Sequence, residues 1–160
     1  MVSESSAKWV LLAYRIPREP STPRISVWRK LRKLGVGHLV DGLVALPLDA
    51  RNQERLEWIA DEVLEAGGHA SIWVAQSTTA SQERDLARQM GDAVAVEYRA
   101  LTDAARDAAG LPPPQRRRTL ARLRREAQRI RGRDYFSVAE ADAARAALAD
   151  LGHAVEEVAR

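Results

Sequence analysis

The chain has 160 residues, 46% of them apolar and 29% charged, which is the composition of a folded domain with one core of ordinary size and not of a disordered segment. It has no cysteine, so a disulfide framework, a zinc ribbon and a thiol nucleophile are excluded. The net charge of +3 conceals segregation: residues 1–34 carry eight basic and two acidic groups, 35–114 six and thirteen, 115–133 nine and one, and 134–160 two and six.

The start, Met1 to Lys8, is polar and Ser-rich, unlike a signal peptide, and the longest apolar run, Trp9 to Ala13, is too short to span a bilayer. A cytoplasmic protein with no membrane partner is expected. Lys8 to Ile16 is rich in strand formers and reads as a buried strand, which Pro17 and Pro20 end. A helix follows from about Pro23 or Arg24, with Val27, Trp28, Leu31 and Leu34 at helical spacing and Gly35 closing it. His38 to Val40 and Leu43 to Leu46, joined by Asp41-Gly42, form a hairpin pattern suited to a type I′ turn. A second helix runs over about Asn52–Ala66, with Leu56, Ile59, Val63 and Leu64 inward and Gly67-Gly68 as its stop. His69 to Gln76 is the fourth strand. This order predicts an α/β (α+β) protein with a ferredoxin-like βαββαβ core over residues 1–77.

Residues 78–160 show no strand pattern and predict a C-terminal helical extension of about three helices, packed on the core or on a partner chain. The first covers Ser81 to about Ala109, with a break expected near Gly91. Pro112–Pro114 predicts an extended link, Gln115–Ile130 a second helix, and Ser137–Leu151 a third, opened by a Ser137/Glu140 capping box.

The opening of the chain resembles a known family. The Lys8–Ile16 strand, the Pro17-Arg-Glu-Pro-Ser21 loop and Val27-Trp-Arg-Lys-Leu-Arg-Lys-Leu-Gly35 are similar to the N-terminal domain of the ChrB chromate-resistance regulators. Asp41-Gly42, Leu46-Pro47, Glu57-Trp58, Glu65-Ala-Gly-Gly68 and Arg133-Asp-Tyr-Phe136 extend the resemblance over most of the chain. It implies a DNA-binding regulatory protein of chromate or oxyanion resistance. ChrB proteins continue into a second domain associated with sensing, which this sequence is expected to lack. A fainter likeness is to the central domain of PaaX-type repressors and, behind both, to the small nucleases of CRISPR adaptation. Those nucleases hold a metal with an aspartate at the end of the first strand. Here Ala13 to Pro17 offers Arg15 instead, which repels a cation, so nuclease chemistry is not implied.

The strongest chemical pattern is in residues 115–133. Arg118, Arg122, Arg125 and Arg129 share one helical face, while Leu120, Leu123, Ala127 and Ile130 form an apolar stripe. Guanidinium groups donate in pairs to phosphate, so the array suits a nucleic-acid backbone. It suits equally a neighbouring acidic helix, such as the one bearing Glu83, Asp85, Glu97, Asp103 and Asp107. A second basic group is Arg24, Arg29, Lys30 and Lys33, and Arg15, Arg18 and Arg24 are candidates for an oxyanion at a helix start.

His38, His69 and His153 lack ligand spacing; Glu57, Asp61 and Glu65 at i+4 steps read as an exposed helix face; and Trp9, Trp28, Trp58 and Trp73 read as packing residues. No phosphate loop, catalytic triad or carboxylate pair emerges. The chain is therefore expected to be no enzyme, with no catalytic residue, metal or cofactor. Its expected partners are DNA, chromate or another oxyanion, and a second copy in a homodimer. The other reading is a non-catalytic accessory or dimerisation module whose arginine helix docks on an acidic protein.

Overall fold

The computed structural model describes residues 7–160, so the polar start of the chain lies almost wholly outside the described residues. The elements are β1 (Lys8–Arg15), α1 (Ser21–Leu34), β2 (Gly37–Val40), β3 (Leu43–Pro47), α2 (Ala50–Glu65), β4 (His69–Gln76), α3 (Ala80–Ala108), α4 (Pro113–Arg131) and α5 (Glu140–Val158). The chain forms two compact units, one ending at Met90 and the other running from Gly91 to Arg160. The sequence reading ends the core at residue 77. The first unit reaches further because the start of α3 packs on the sheet: Trp9 Nε1 donates to Glu83, and Gln89 exchanges hydrogen bonds with the His38 backbone.

The first unit is α+β. Its sheet has the order β2-β3-β1-β4 with every neighbouring pair antiparallel, an arrangement compatible with a ferredoxin-like core. Val10 and Leu12 on β1 lie opposite Leu46 and Val44 on β3. These four side chains are fully buried and make one core with Val27 and Leu31 of α1 and Leu56, Ile59 and Val63 of α2. On the other face Gly37 is tight against α3, since a Cβ there would lie 2.5 Å from Leu86 Cδ1 and 3.0 Å from Met90 Sδ.

Local chemistry explains most boundaries. Gly35 ends α1 in the left-handed region at φ 71°, and its N–H returns to Arg32 and Leu31. Asp49 caps α2 by accepting from Asn52 N at 2.6 Å, while the buried Asn52 amide donates to Pro47 O. The β2–β3 turn differs from type I′, which needs positive φ at both central residues. Only Gly42 has it (80°), and the ladder carries an irregularity between His38 and Val40. Leu64 is exposed, because α2 turns only its Leu56–Ile59–Val63 line inward.

The second unit is a helical bundle. Val94, Tyr98, Leu101, Ala105 and Ala108 of α3, Leu120, Leu123, Ala127 and Ile130 of α4, and Ala144, Ala147 and Leu151 of α5 form its core at alternating three- and four-residue steps. α3 is continuous through Gly91. The prolines make no extended link: Pro112 is the N-cap and α4 begins at Pro113, where a missing N–H costs nothing. The Ser137 capping box is also absent. Ser137 sits at φ 54°, and the Asp134 carboxylate accepts from Val138 N instead.

Candidate nucleic-acid interface

The apolar stripe of α4 fixes which way its arginines point. Leu120, Leu123, Ala127 and Ile130 are all buried, so the helix cannot rotate without exposing them. Arg118, Arg122, Arg125 and Arg129 are consequently exposed along roughly 16 Å of helix surface. None of the four meets an acidic side chain of another helix among the described residues. Arg122 approaches Glu126, one turn along its own helix, at 3.6 Å, and Arg118 Nε donates to Pro114 O at 3.4 Å. Two other arginines of the segment are structural. Arg116 donates to Leu111 O and Ala154 O, and Arg133 forms a two-pronged pair with Glu97 on α3. The ion pair from this segment to acidic α3 is thus made by Arg133, just beyond the end of α4, and the four-arginine face is left to solvent.

In the first unit, Arg24, Arg29, Lys30 and Lys33 are exposed on α1. Lys30 is committed to Glu62 of α2 at 2.5 Å, and Ser26 donates to the same carboxylate. Burial pushes the Glu62 carboxyl up, but these hydrogen bonds and the Lys30 charge together leave it below its usual value. Arg15, Arg18 and Arg24 are exposed around the end of β1. Burial and the Asp41 charge raise the Tyr14 hydroxyl, and the charge of nearby Arg24 opposes them.

Trp9 is buried, but Trp28, Trp58 and Trp73 are 54%, 65% and 60% exposed, against the expectation that all four pack. Each stands beside a more buried position: Trp28 next to buried Val27, Trp58 next to buried Ile59, and Trp73 next to half-buried Ile72. Arg32 lies over the Trp28 ring at 5.2 Å. Glu57, Asp61 and Glu65 are exposed, and no cluster of three His, Asp or Glu residues suited to a metal occurs among the described residues. No helix of the described residues is long and apolar enough to cross a membrane.

A further set of arginines was not marked out by the sequence reading. Arg124 and Arg131 flank the stripe beside Ala127 and, with Arg145 of α5, line a cleft of about 540 Å³ between α4 and α5. Their signal in the sequence is faint: seven-residue spacing on the edge of an apolar stripe, which means little until the helix that faces it is known.

The family model described as Protein ChrB, N-terminal, matches residues 24–108, more than half of the chain. The chain belongs to that family. No curated protein and no solved structure matches. The matched segment runs from α1 to the end of α3. β1 and α4, with its arginine face, lie outside it.

Proposed function

From membership of the ChrB N-terminal family, we propose that this chain is a cytoplasmic, non-catalytic DNA-binding regulatory protein of chromate or oxyanion resistance. The single observation that carries the DNA reading is the α4 face, where four guanidinium groups project from an anchored helix with no acidic partner outside it among the described residues. An array of this kind exchanges condensed counterions for protein cations along a phosphate backbone. Arg24, Arg29 and Lys33 on α1 supply a second basic surface, with Lys30 drawn to Glu62. Fluorescence anisotropy with duplex DNA over a series of salt concentrations tests this. Tight binding at low salt that weakens steeply as salt rises is expected, and no binding by the intact chain at low salt would remove the reading.

A second copy is the protein partner that the structure favours over an acidic stranger. β4 is an eight-residue edge strand, paired among the described residues only with β1, with no Lys, Arg, Asp or Glu and no Pro along it, and with Trp73 and Val74 exposed. Such an edge lacks the devices that keep strands apart. Antiparallel pairing of β4 with its own copy brings no like charges together. Light scattering tests this: a dimer is expected, and a strictly monomeric chain at micromolar concentration would exclude it.

A further inference from the structure

We propose that the cleft between α4 and α5 is a binding site for one dinegative tetrahedral oxyanion, held by the guanidinium groups of Arg124, Arg131 and Arg145 with the Ser137 hydroxyl as a further donor. The site belongs to the helical unit alone and does not depend on whether the outer face of α4 meets DNA.

The lining explains the ligand class. Three arginines and two aspartates, Asp134 and Asp142, surround the space. The aspartates are already engaged: Asp142 accepts from Arg145 at 2.8 Å, and Asp134 accepts from Val138 N and from the Tyr98 hydroxyl. Burial and Asp134 raise the Tyr98 hydroxyl, while Arg131 and Arg145 pull it down, so both cations sit near the same point on the cleft wall. Arg124 and Arg131 have no carboxylate within 4.0 Å among the described residues. Two arginines without a carboxylate partner among the described residues line one concave space, which matches a dianion better than a monoanion, and forked guanidinium N–H groups match oxygens on a tetrahedral centre.

Backbone features also suit an occupied cleft. Ser137 is the only described non-glycine residue with positive φ, a conformation that costs roughly 1–2 kcal/mol for a side-chain-bearing residue and that places this hydroxyl residue on the cleft wall. Gly152 on α5 is buried, and a Cβ there would lie 3.0 Å from Arg124 Nη2, so the guanidinium is accommodated by the absence of a side chain.

The test is calorimetric titration of the intact chain with sulfate, phosphate and chromate, against nitrate and chloride at matched ionic strength. With no cysteine in the chain, chromate meets no protein thiol that would reduce it. One saturable site for the three tetrahedral dianions is expected, with phosphate binding falling as acid converts it to the monoanion while sulfate binding holds. Arg131→Gln and Arg124→Gln should each weaken binding about tenfold or more, as the loss of a charge-assisted hydrogen bond predicts. The outer-face variant with Arg118, Arg122, Arg125 and Arg129 all changed to Gln should bind the dianions unchanged. Circular dichroism confirms that each variant is folded, and Arg131→Lys serves as the milder second variant, with binding intermediate between wild type and Arg131→Gln. Heats that follow ionic strength alone, or dianion binding lost in the outer-face variant but kept in Arg131→Gln, would overturn the proposal. The second outcome would place the anions on the DNA-facing surface instead.

Discussion

Replacing Arg118, Arg122, Arg125 and Arg129 together by glutamine is the decisive perturbation of the α4 face. Arg125 and Arg129 have no ion-pair partner among the described residues, so neither has to leave a carboxylate to meet a phosphate. Arg122 is held by Glu126 at 3.6 Å with both side chains largely in solvent, a pair worth about 1 kcal/mol or less, so phosphate displaces the carboxylate. Arg118 uses only its Nε, on Pro114 O. Four contacts are therefore lost, each worth about 0.9 in the slope of log affinity against log salt, or about 3.6 in all. Over a fourfold rise in salt, wild-type affinity should fall about 150-fold further than that of the variant. Anisotropy titrations with one duplex at four or more salt concentrations give both slopes. The substituted positions lie off the buried stripe, so helix content and melting temperature should stay near wild type. An unchanged slope in a folded variant would refute the assignment and move attention to Arg24, Arg29 and Lys33 on α1.

Other outcomes follow from packing, charge and backbone geometry. Leu123→Ala, at a position 1% exposed in the helical core, should cost about 2–5 kcal/mol, read by denaturant unfolding. Gly68→Ala should destabilise by about 1–3 kcal/mol, since its Cβ would lie 2.4 Å from Arg15 O and 2.8 Å from Val63 Cγ1, whereas Gly67→Asn, at φ 81° with open space around it, should be nearly neutral. Glu62 has a lowered folded-state pKa, so its contribution is present above the unfolded carboxyl value and is lost as pH falls through the folded one. Glu62→Gln should therefore lower stability at neutral pH and leave a flatter acid limb, and an identical acid limb in both proteins would contradict the pairing. Trp73→Lys puts a like charge on each copy of the β4 edge and should shift the chain to monomer in light scattering without changing its circular dichroism.

The core was legible because its periodicities are strong and its stops are chemical. β1 and β3 are nearly continuous apolar runs that carry Val10, Leu12, Val44 and Leu46 into the core, and Gly35 stops α1 in the left-handed conformation its position suggested. The misreadings share a physical origin in single residues with two uses. Pro112–Pro114 can end one element or begin the next, and the apolar residues that follow decided for a helix start. Ser137 is a good cap by type, yet it takes a positive φ outside α5, and the carboxylate of Asp134 holds the N–H of Val138 at this turn. Tryptophan raised the same difficulty, since a large aromatic at nearly the right phase looks inward in a linear pattern, and a shift of one position along the chain turns it out.

The two arginine sets of α4 differ in legibility for a geometric reason. Arg118, Arg122, Arg125 and Arg129 lie on one face by helical arithmetic alone, and a single buried stripe suffices to say that they point away from the protein. Arg124 and Arg131 sit closer to that stripe, where the same arithmetic says only that they border a neighbour. Whether a bordering arginine forms an ion pair, as Arg133 does with Glu97, or lines a cleft, as Arg131 does, depends on what the facing helix offers at that height. α5 offers Ala141, Ala144 and Leu148, with its one nearby carboxylate, Asp142, already paired to Arg145. Small residues opposite long cations leave space as well as charge, and that combination makes a ligand site from what would otherwise be a helix contact.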